Sequence, residues 1–343
     1  MLPLCLPFEA ALRPILLKGH ERALTFLKYN RDGDLIFSAA KDPTPCVWFS
    51  DTGERLGTYK GHTGDSKLLL TASADTTAKL WNVETGEELF SWSHRAPVRC
   101  VAFAKGDRKF LAVTDPFTKL ASSIYIYKLD PERPAKQNPL PMREIVAPTP
   151  SAKITQALWG PLNKYIIYSS EDCSVYIHDP ESGELLHTIT DHQAQVNSIA
   201  FSWDETYFIT SSDDRTARLY DSKTFKLLKT FESAKPVNSA AISPILDHVL
   251  LGGGQKAHGV TTSAVESGGF EARIYDMIFE EELGSIKGHF GPINTISYAP
   301  DGKSYTSGSE DGYMRIYHLD KFYFTLGRDS VGNFQDQLDL DDF

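Results

Sequence analysis

The sequence predicts an all-β protein, a seven-bladed β-propeller, and three observations carry that reading. A set of His, Asp and aromatic marks recurs at fixed spacing. Aligned apolar anchors repeat after 42 residues (Ile154 to Val196) and then 41 (Val196 to Val237). Short apolar or β-branched runs alternate with turn residues, and nothing of helical period intervenes. A repeat of about 40–45 residues made of short strands builds propeller blades.

The marks come in order. Gly19-His20 is followed by Asp42 and Trp48, His192 by Asp214 and Tyr220, and Gly288-His289 by Asp311 and Tyr317. In each set the histidine stands 28 residues before the aromatic and the aspartate six before it. Asp75 to Trp81 and Asp172 to His178 keep the six-residue step. This is WD-repeat punctuation. Leu68–Ser73, Tyr165–Ser169 and Tyr207–Ser211 read as strands. Asn30–Gly33, Glu84–Gly86, Glu181–Gly183 and Pro300–Gly302 read as turns.

Seven blades follow, at about 20–60, 61–93, 94–150, 151–191, 192–232, 233–288 and 289–320. No outer strand follows Tyr317 in the last of them. The stretch 13–18 precedes the first Gly-His as Leu56–Tyr59 precedes the second, so it is expected to complete blade seven and close the ring. Closure removes strand edges that would otherwise invite aggregation. The propeller thus spans 13–326, with a leader at 1–12 and an acidic tail at 327–343, both expected to be disordered.

The marks have a structural task. A buried polar group is costly unless hydrogen-bonded, and Asp, His, Ser and Trp can satisfy one another inside a blade. Blade two offers His62, Ser73, Asp75 and Trp81; blade seven offers His289, Ser309 and Asp311, with Tyr317 where Trp is usual. In blade one the serine position reads as Ala40, so its network, with His20, Asp42 and Trp48, is expected to lack one member. The same reading assigns His192, Asp214 and Tyr220 to blade five. A Ser–His–Asp set can belong to a hydrolase, but here it recurs with the repeat and belongs to the blade interiors.

Blade two is short. His62 to Trp81 is 19 residues, nine below the rule, and the deficit amounts to the innermost strand. Blades three and six carry insertions, a proline-rich stretch at 130–141 and a glycine-rich one from Gly252 to Gly269. The latter is followed by a strand rather than a helix with Lys and Ser or Thr, which argues against phosphate binding.

Composition narrows the function classes. A net charge of −10 works against nucleic-acid binding and favours basic protein partners. The four cysteines, Cys5, Cys46, Cys100 and Cys173, are dispersed without a Cys-x-x-Cys pair, as in a reducing cytoplasm. No apolar run has the length of a membrane span, and the opening residues lack the basic start of a signal peptide. No catalytic, metal or cofactor site is expected.

Several stretches exceed the generic repeat: Pro14–Glu21, Gly53–Tyr59, Pro236–Ala240, Leu251–Gln255, Val260–Thr262, Phe270–Arg273, Phe279–Glu282 and Lys287–Asn294. Through them the chain, over about 13–326, resembles the WD-repeat subunit i of eukaryotic translation initiation factor 3. The leader, the short blade two and the acidic tail depart from that family. The resemblance implies a non-catalytic subunit of a complex on the small ribosomal subunit. Its implied partners are a C-terminal helix of the scaffold subunit b, docked on blades five and six, and the RNA-binding subunit g. It also implies that Asp204 and Asp221 are partner-binding residues. Both fall at strand ends on the rim, where a carboxylate can meet an incoming arginine. Other readings are a substrate receptor of a cullin-type ubiquitin ligase, from Ile209–Asp214 and Leu219–Lys223, and a kinase-receptor-associated signalling scaffold. No membrane contact, direct nucleic-acid contact or homo-oligomer is expected.

Overall fold

The structure, a computed structural model, describes residues 14–325 apart from 43, 59–67, 84, 255–269 and 322. It is an all-β, seven-bladed propeller of antiparallel sheets taken in chain order. Leader and tail, with His62, lie outside the described residues.

Blade one consists of β2 (Leu24–Tyr29), β3 (Leu35–Ala40), β4 (Cys46–Phe49) and β5 (Arg55–Thr58). Blade two has β6 (Leu68–Ala72), β7 (Thr77–Asn82) and β8 (Glu88–Ser93). Blade three has β9 (Val98–Phe103), β10 (Lys109–Thr114), β11 (Ser123–Lys128) and β12 (Arg143–Val146). Blade four has β13 (Ile154–Trp159), β14 (Ile166–Ser170), β15 (Val175–His178) and β16 (Leu185–Ile189). Blade five has β17 (Val196–Phe201), β18 (Tyr207–Ser212), β19 (Thr216–Asp221) and β20 (Leu227–Glu232). Blade six has β21 (Val237–Ile242), β22 (His248–Gly253), β23 (Ala272–Asp276) and β24 (Glu282–Ile286). Blade seven has β25 (Ile293–Tyr298), β26 (Ser304–Ser309) and β27 (Tyr313–His318). β1 (Ile15–Lys18) adds to β27 in antiparallel register, Ile15 opposite Ile316, as the fourth strand of that blade.

The strand sequences explain the packing. First strands run apolar, polar, small, apolar, small, aromatic, as in Val196-Asn-Ser-Ile-Ala-Phe201. The apolar side chains enter the space between blades, because a twisted sheet buries both faces when another sheet covers each. The polar second position reaches sideways. Asn197 and Asn238 donate through Nδ2 to the Val237 and Ile293 carbonyls of the next blade's first strand (2.9 and 3.0 Å). Asn294 does the same to Leu24, stitching blade seven to blade one (2.9 Å).

Six apolar clusters join consecutive blades: three to four, four to five, five to six, six to seven, seven to one, and two to three. Among the described residues no cluster joins blade one to blade two. β6 holds the place of a second strand. It packs on β9 as β10, β14, β18, β22 and β26 pack on the first strand of the blade after them. Among the described residues, therefore, the first-strand position of blade two is the one without a strand.

Candidate functional site

One face of the ring carries the turns between second and third strands and the segments entering first strands. There the His and Asp marks meet. Each aspartate divides its oxygens between two tasks. In blade five Asp214 Oδ1 accepts from the Thr216 amide (2.9 Å) and Oδ2 from His192 Nδ1 (2.8 Å) and the Gln193 amide (3.1 Å). The carboxylate thus closes its own turn and staples it to the segment before β17. The residue after the aspartate sits in the left-handed region, with φ +74° at Thr76, +68° at Cys173, +68° at Arg215 and +80° at Gly312. Side-chain capping of the turn holds that conformation in place.

Blade one shows the complete relay. Trp48 Nε1–H donates to Ser38 Oγ (2.9 Å), and Ser38 Oγ pairs with His20 Nε2 (2.8 Å). His20 Nδ1 pairs with Asp42 Oδ2 (2.8 Å). Indole only donates and carboxylate only accepts, so the protons order themselves as Trp to Ser, Ser to His, His to Asp. The expectation of a missing member at Ala40 is therefore corrected, since the hydroxyl lies four residues before the aspartate, not two. Blade seven repeats the correction, with Ser307 Oγ on His289 Nε2 (2.6 Å). Ser309 instead bonds the Gly291 carbonyl and the Asp311 amide (3.0 and 3.3 Å). In blade two Thr71, not Ser73, takes the Trp81 indole proton (2.8 Å), and Ser73 accepts from the Asp75 amide (3.2 Å). Positions two and four before the aspartate share a strand face, and only the deeper one reaches the indole.

Where tyrosine replaces tryptophan, its hydroxyl passes the network. Tyr220 reaches Asp191 (3.1 Å) and Tyr317 the Lys287 carbonyl (3.5 Å). In blade four Asp172 accepts from Thr149 and Tyr176 (2.6 and 2.9 Å), while His178 faces the Tyr168 hydroxyl (3.2 Å).

Burial pushes His192 and His289 below the ordinary histidine value, against the opposing pull of Asp214 and Asp311. Burial works against ionisation of Asp214, but bonds from Thr216 and His192 hold its carboxyl at about 2. Both histidines titrate lower in the folded chain than in the unfolded one, at about 6.5. Their contribution is complete above that value and is lost as pH falls through the folded values. The melting temperature should therefore fall between pH 7.5 and pH 5, and again between about 4 and 2 as Asp214 protonates. A thermal-melt series rising on acidification would contradict the neutral-His, ionised-Asp assignment.

The opposite face carries the other turns, and here Asp204 and Asp221 come together. Asp204 lies between β17 and β18, and Asp221 ends β19. The two turns are tied by the Ser222 amide to the Thr206 carbonyl (2.9 Å). Asp204 Oδ1 accepts from Ser202 Oγ (2.6 Å) and the Thr206 amide (3.2 Å). Asp221 Oδ1 accepts from the Thr224 and Lys223 amides (2.6 and 3.0 Å). The Ser202 hydroxyl and the Thr224 amide, respectively, hold these carboxyls below the ordinary range. Each carboxylate caps its own turn; Asp204 is exposed and Asp221 half-buried.

Sequence reasoning missed the apolar neighbours. Trp203 is 63% exposed beside Asp204, and Ile278 and Phe279 are 52% and 51% exposed in the β23–β24 turn of blade six. That turn is held to blade five by Lys229, which donates to the Ile278 carbonyl (2.8 Å) and pairs with Glu280 (2.9 Å). A tryptophan in a turn and an Ile-Phe pair beside acidic residues were the available signals.

Comparison with known proteins gives the family. The family model EIF3I matches residues 12–329. A zebra finch (Taeniopygia guttata) protein named eukaryotic translation initiation factor 3 subunit I is 47% identical over 323 residues, 91% of this chain and 98% of that protein. The human (Homo sapiens) and zebrafish (Danio rerio) proteins of the same name are each 46% identical over the same shares.

Proposed function

The chain belongs to the family of eukaryotic translation initiation factor 3 subunit I, and on that premise we propose that it is a non-catalytic scaffold whose lower rim holds a helix of another subunit. The rim of blades five and six binds the C-terminal helix of the scaffold subunit b, subunit g joins the same module, and the assembly supports initiation on the small ribosomal subunit in the cytoplasm.

One observation carries this reading. Asp204 and Asp221 stand on one face with exposed Trp203, and the Lys229 bridge sets Ile278 and Phe279 beside them. An amphipathic helix with basic and aromatic residues matches that surface in charge and apolarity. Asp221 keeps Oδ2 free of hydrogen bonds among the described residues, so an arginine can take it without breaking the turn. The Ser, His and Asp sets lie inside blades as structural relays. An open cleft of about 290 Å³ between Pro116–Leu120 and Pro150–Ser151 offers Lys119 as its one titratable lining residue. Neither arrangement brings a nucleophile and a base to a substrate.

The test is charge reversal. Asp204→Arg together with Asp221→Arg should abolish co-purification with subunit b, while the circular-dichroism spectrum is kept and the thermal melt, lowered by the loss of two turn caps, stays cooperative. Retained co-purification would refute the rim assignment. Loss of folding would make the two carboxylates turn caps alone.

A further inference from the structure

We propose that the junction between blades one and two is a strand-acceptor site for an extended, uncharged segment of another protein chain. The walls are specific. Just past β6 the Ser73 amide donates to the Thr77 carbonyl (3.0 Å), which fixes the alternation along the hairpin. Leu69 and Thr71 then bond β7, and Leu70 and Ala72 turn their N–H and C=O groups toward the inner edge. The matching residues of blade five, Ile209 and Ser211, pair with Ala200 and Ser198 of β17. Among the described residues nothing pairs with Leu70 or Ala72 on that side.

The exposure of the side chains around this edge agrees with it. Phe26 is 47% exposed at the third position of β2. The residues at that position in blades four and six reach the following first strand: Gln156 accepts from the Ile199 amide (2.9 Å) and Ser239 from the Ile296 amide (3.1 Å). Phe26 therefore points where a first strand of blade two would run. Phe37 in β3 and Leu69 in β6 are half-buried, although Ile209 and Phe208 at the corresponding places are fully buried. Val101 in β9 is half-buried where Ile199 is fully buried.

The rest of the ring defines the occupant. Six first strands fill the matching slots, and they share a β-branched or leucine start, mostly small residues at the third and fifth places, an aliphatic or alanine fourth and, in five of six, an aromatic sixth. Phe26, Phe37, Leu69, Thr71 and Val101 bear no charge, while Lys28 shares the Phe26 face of β2, so a basic donor would be repelled and any charged donor would lose hydration over most of its length. A segment of the six-residue pattern would gain backbone pairing along β6 and bury apolar side chains on both sides, the mode of β-strand addition.

The test uses the full chain and a peptide of sequence Val-Asn-Ser-Ile-Ala-Phe, that of β17, flanked by lysines for solubility. The peptide should raise the melting temperature and slow amide exchange at Leu70 and Ala72 by about tenfold or more. A scrambled peptide, and one N-methylated at the residues facing β6, should do neither. No shift at millimolar peptide, or an equal shift with the scrambled peptide, would overturn the proposal. Strong protection at Leu70 and Ala72 without peptide would overturn it too, since the edge would then already be filled by the chain itself or by a second copy.

Discussion

Inserting nine residues after Gly64, carrying an inner-strand hexad, should raise the melting temperature by roughly 3 °C. That is what a net gain of about 2 kcal/mol gives at about 1.5 °C per kcal/mol for a chain of this size. The inserted strand would cover Phe26, Phe37, Leu69 and Val101, each of which has apolar surface left in water. It would also pair the inner edge of β6 and supply the seventh inter-blade cluster, joining blade one to blade two. Ordering nine residues opposes these gains, which is why the expected net is far below the gross burial. Differential scanning calorimetry of the two chains decides it, and an unchanged or lower melting temperature would count against a missing inner strand. The lengthened chain should also stop responding to the β17 peptide, because its slot would be filled in cis.

Ser38→Ala should destabilise the chain by about 2–4 kcal/mol, the largest loss expected from any single hydroxyl of the blade networks. Its oxygen is the meeting point of the Trp48 indole (2.9 Å) and His20 (2.8 Å), both buried. Removing it orphans a donor and an acceptor at once, where no water can replace the serine without a cavity. Ala40→Ser should stay within about 0.5 kcal/mol, since position 40 lies outside the relay. Chemical denaturation of the pair separates the alternatives. A neutral Ser38→Ala beside a stabilising Ala40→Ser would return the network to the shallower position.

The repeat was legible because its marks obey chain spacing. A histidine 28 residues before an aromatic is set by two strands, two turns and the depth of a blade, all of which are lengths along the chain. The short blade two was legible for the same reason: a deficit of nine residues is the length of a strand and its turn. The identity of the bridging hydroxyl was not legible in that way. Ser38 and Ala40, like Ser307 and Ser309, differ by one full pleat and point the same way. Only their depth against the facing indole or imidazole separates them, and depth comes from the packing of two sheets.

The candidate rim divides likewise. Asp204 and Asp221 were singled out by the family resemblance, but Trp203, Ile278 and Phe279 were not singled out at all, because their exposure depends on which way two turns lean. Lys229 settles that by tying blade five to the turn of blade six. The sequence by itself determined the blade count, the places of the His and Asp marks and the absence of room for a seventh inner strand, since these are matters of spacing. The tertiary structure alone decided which hydroxyl joins each relay and which carboxylates share a face with apolar neighbours. These depend on contacts between residues far apart in the chain, where distance across sheets, not along them, sets what each group can reach.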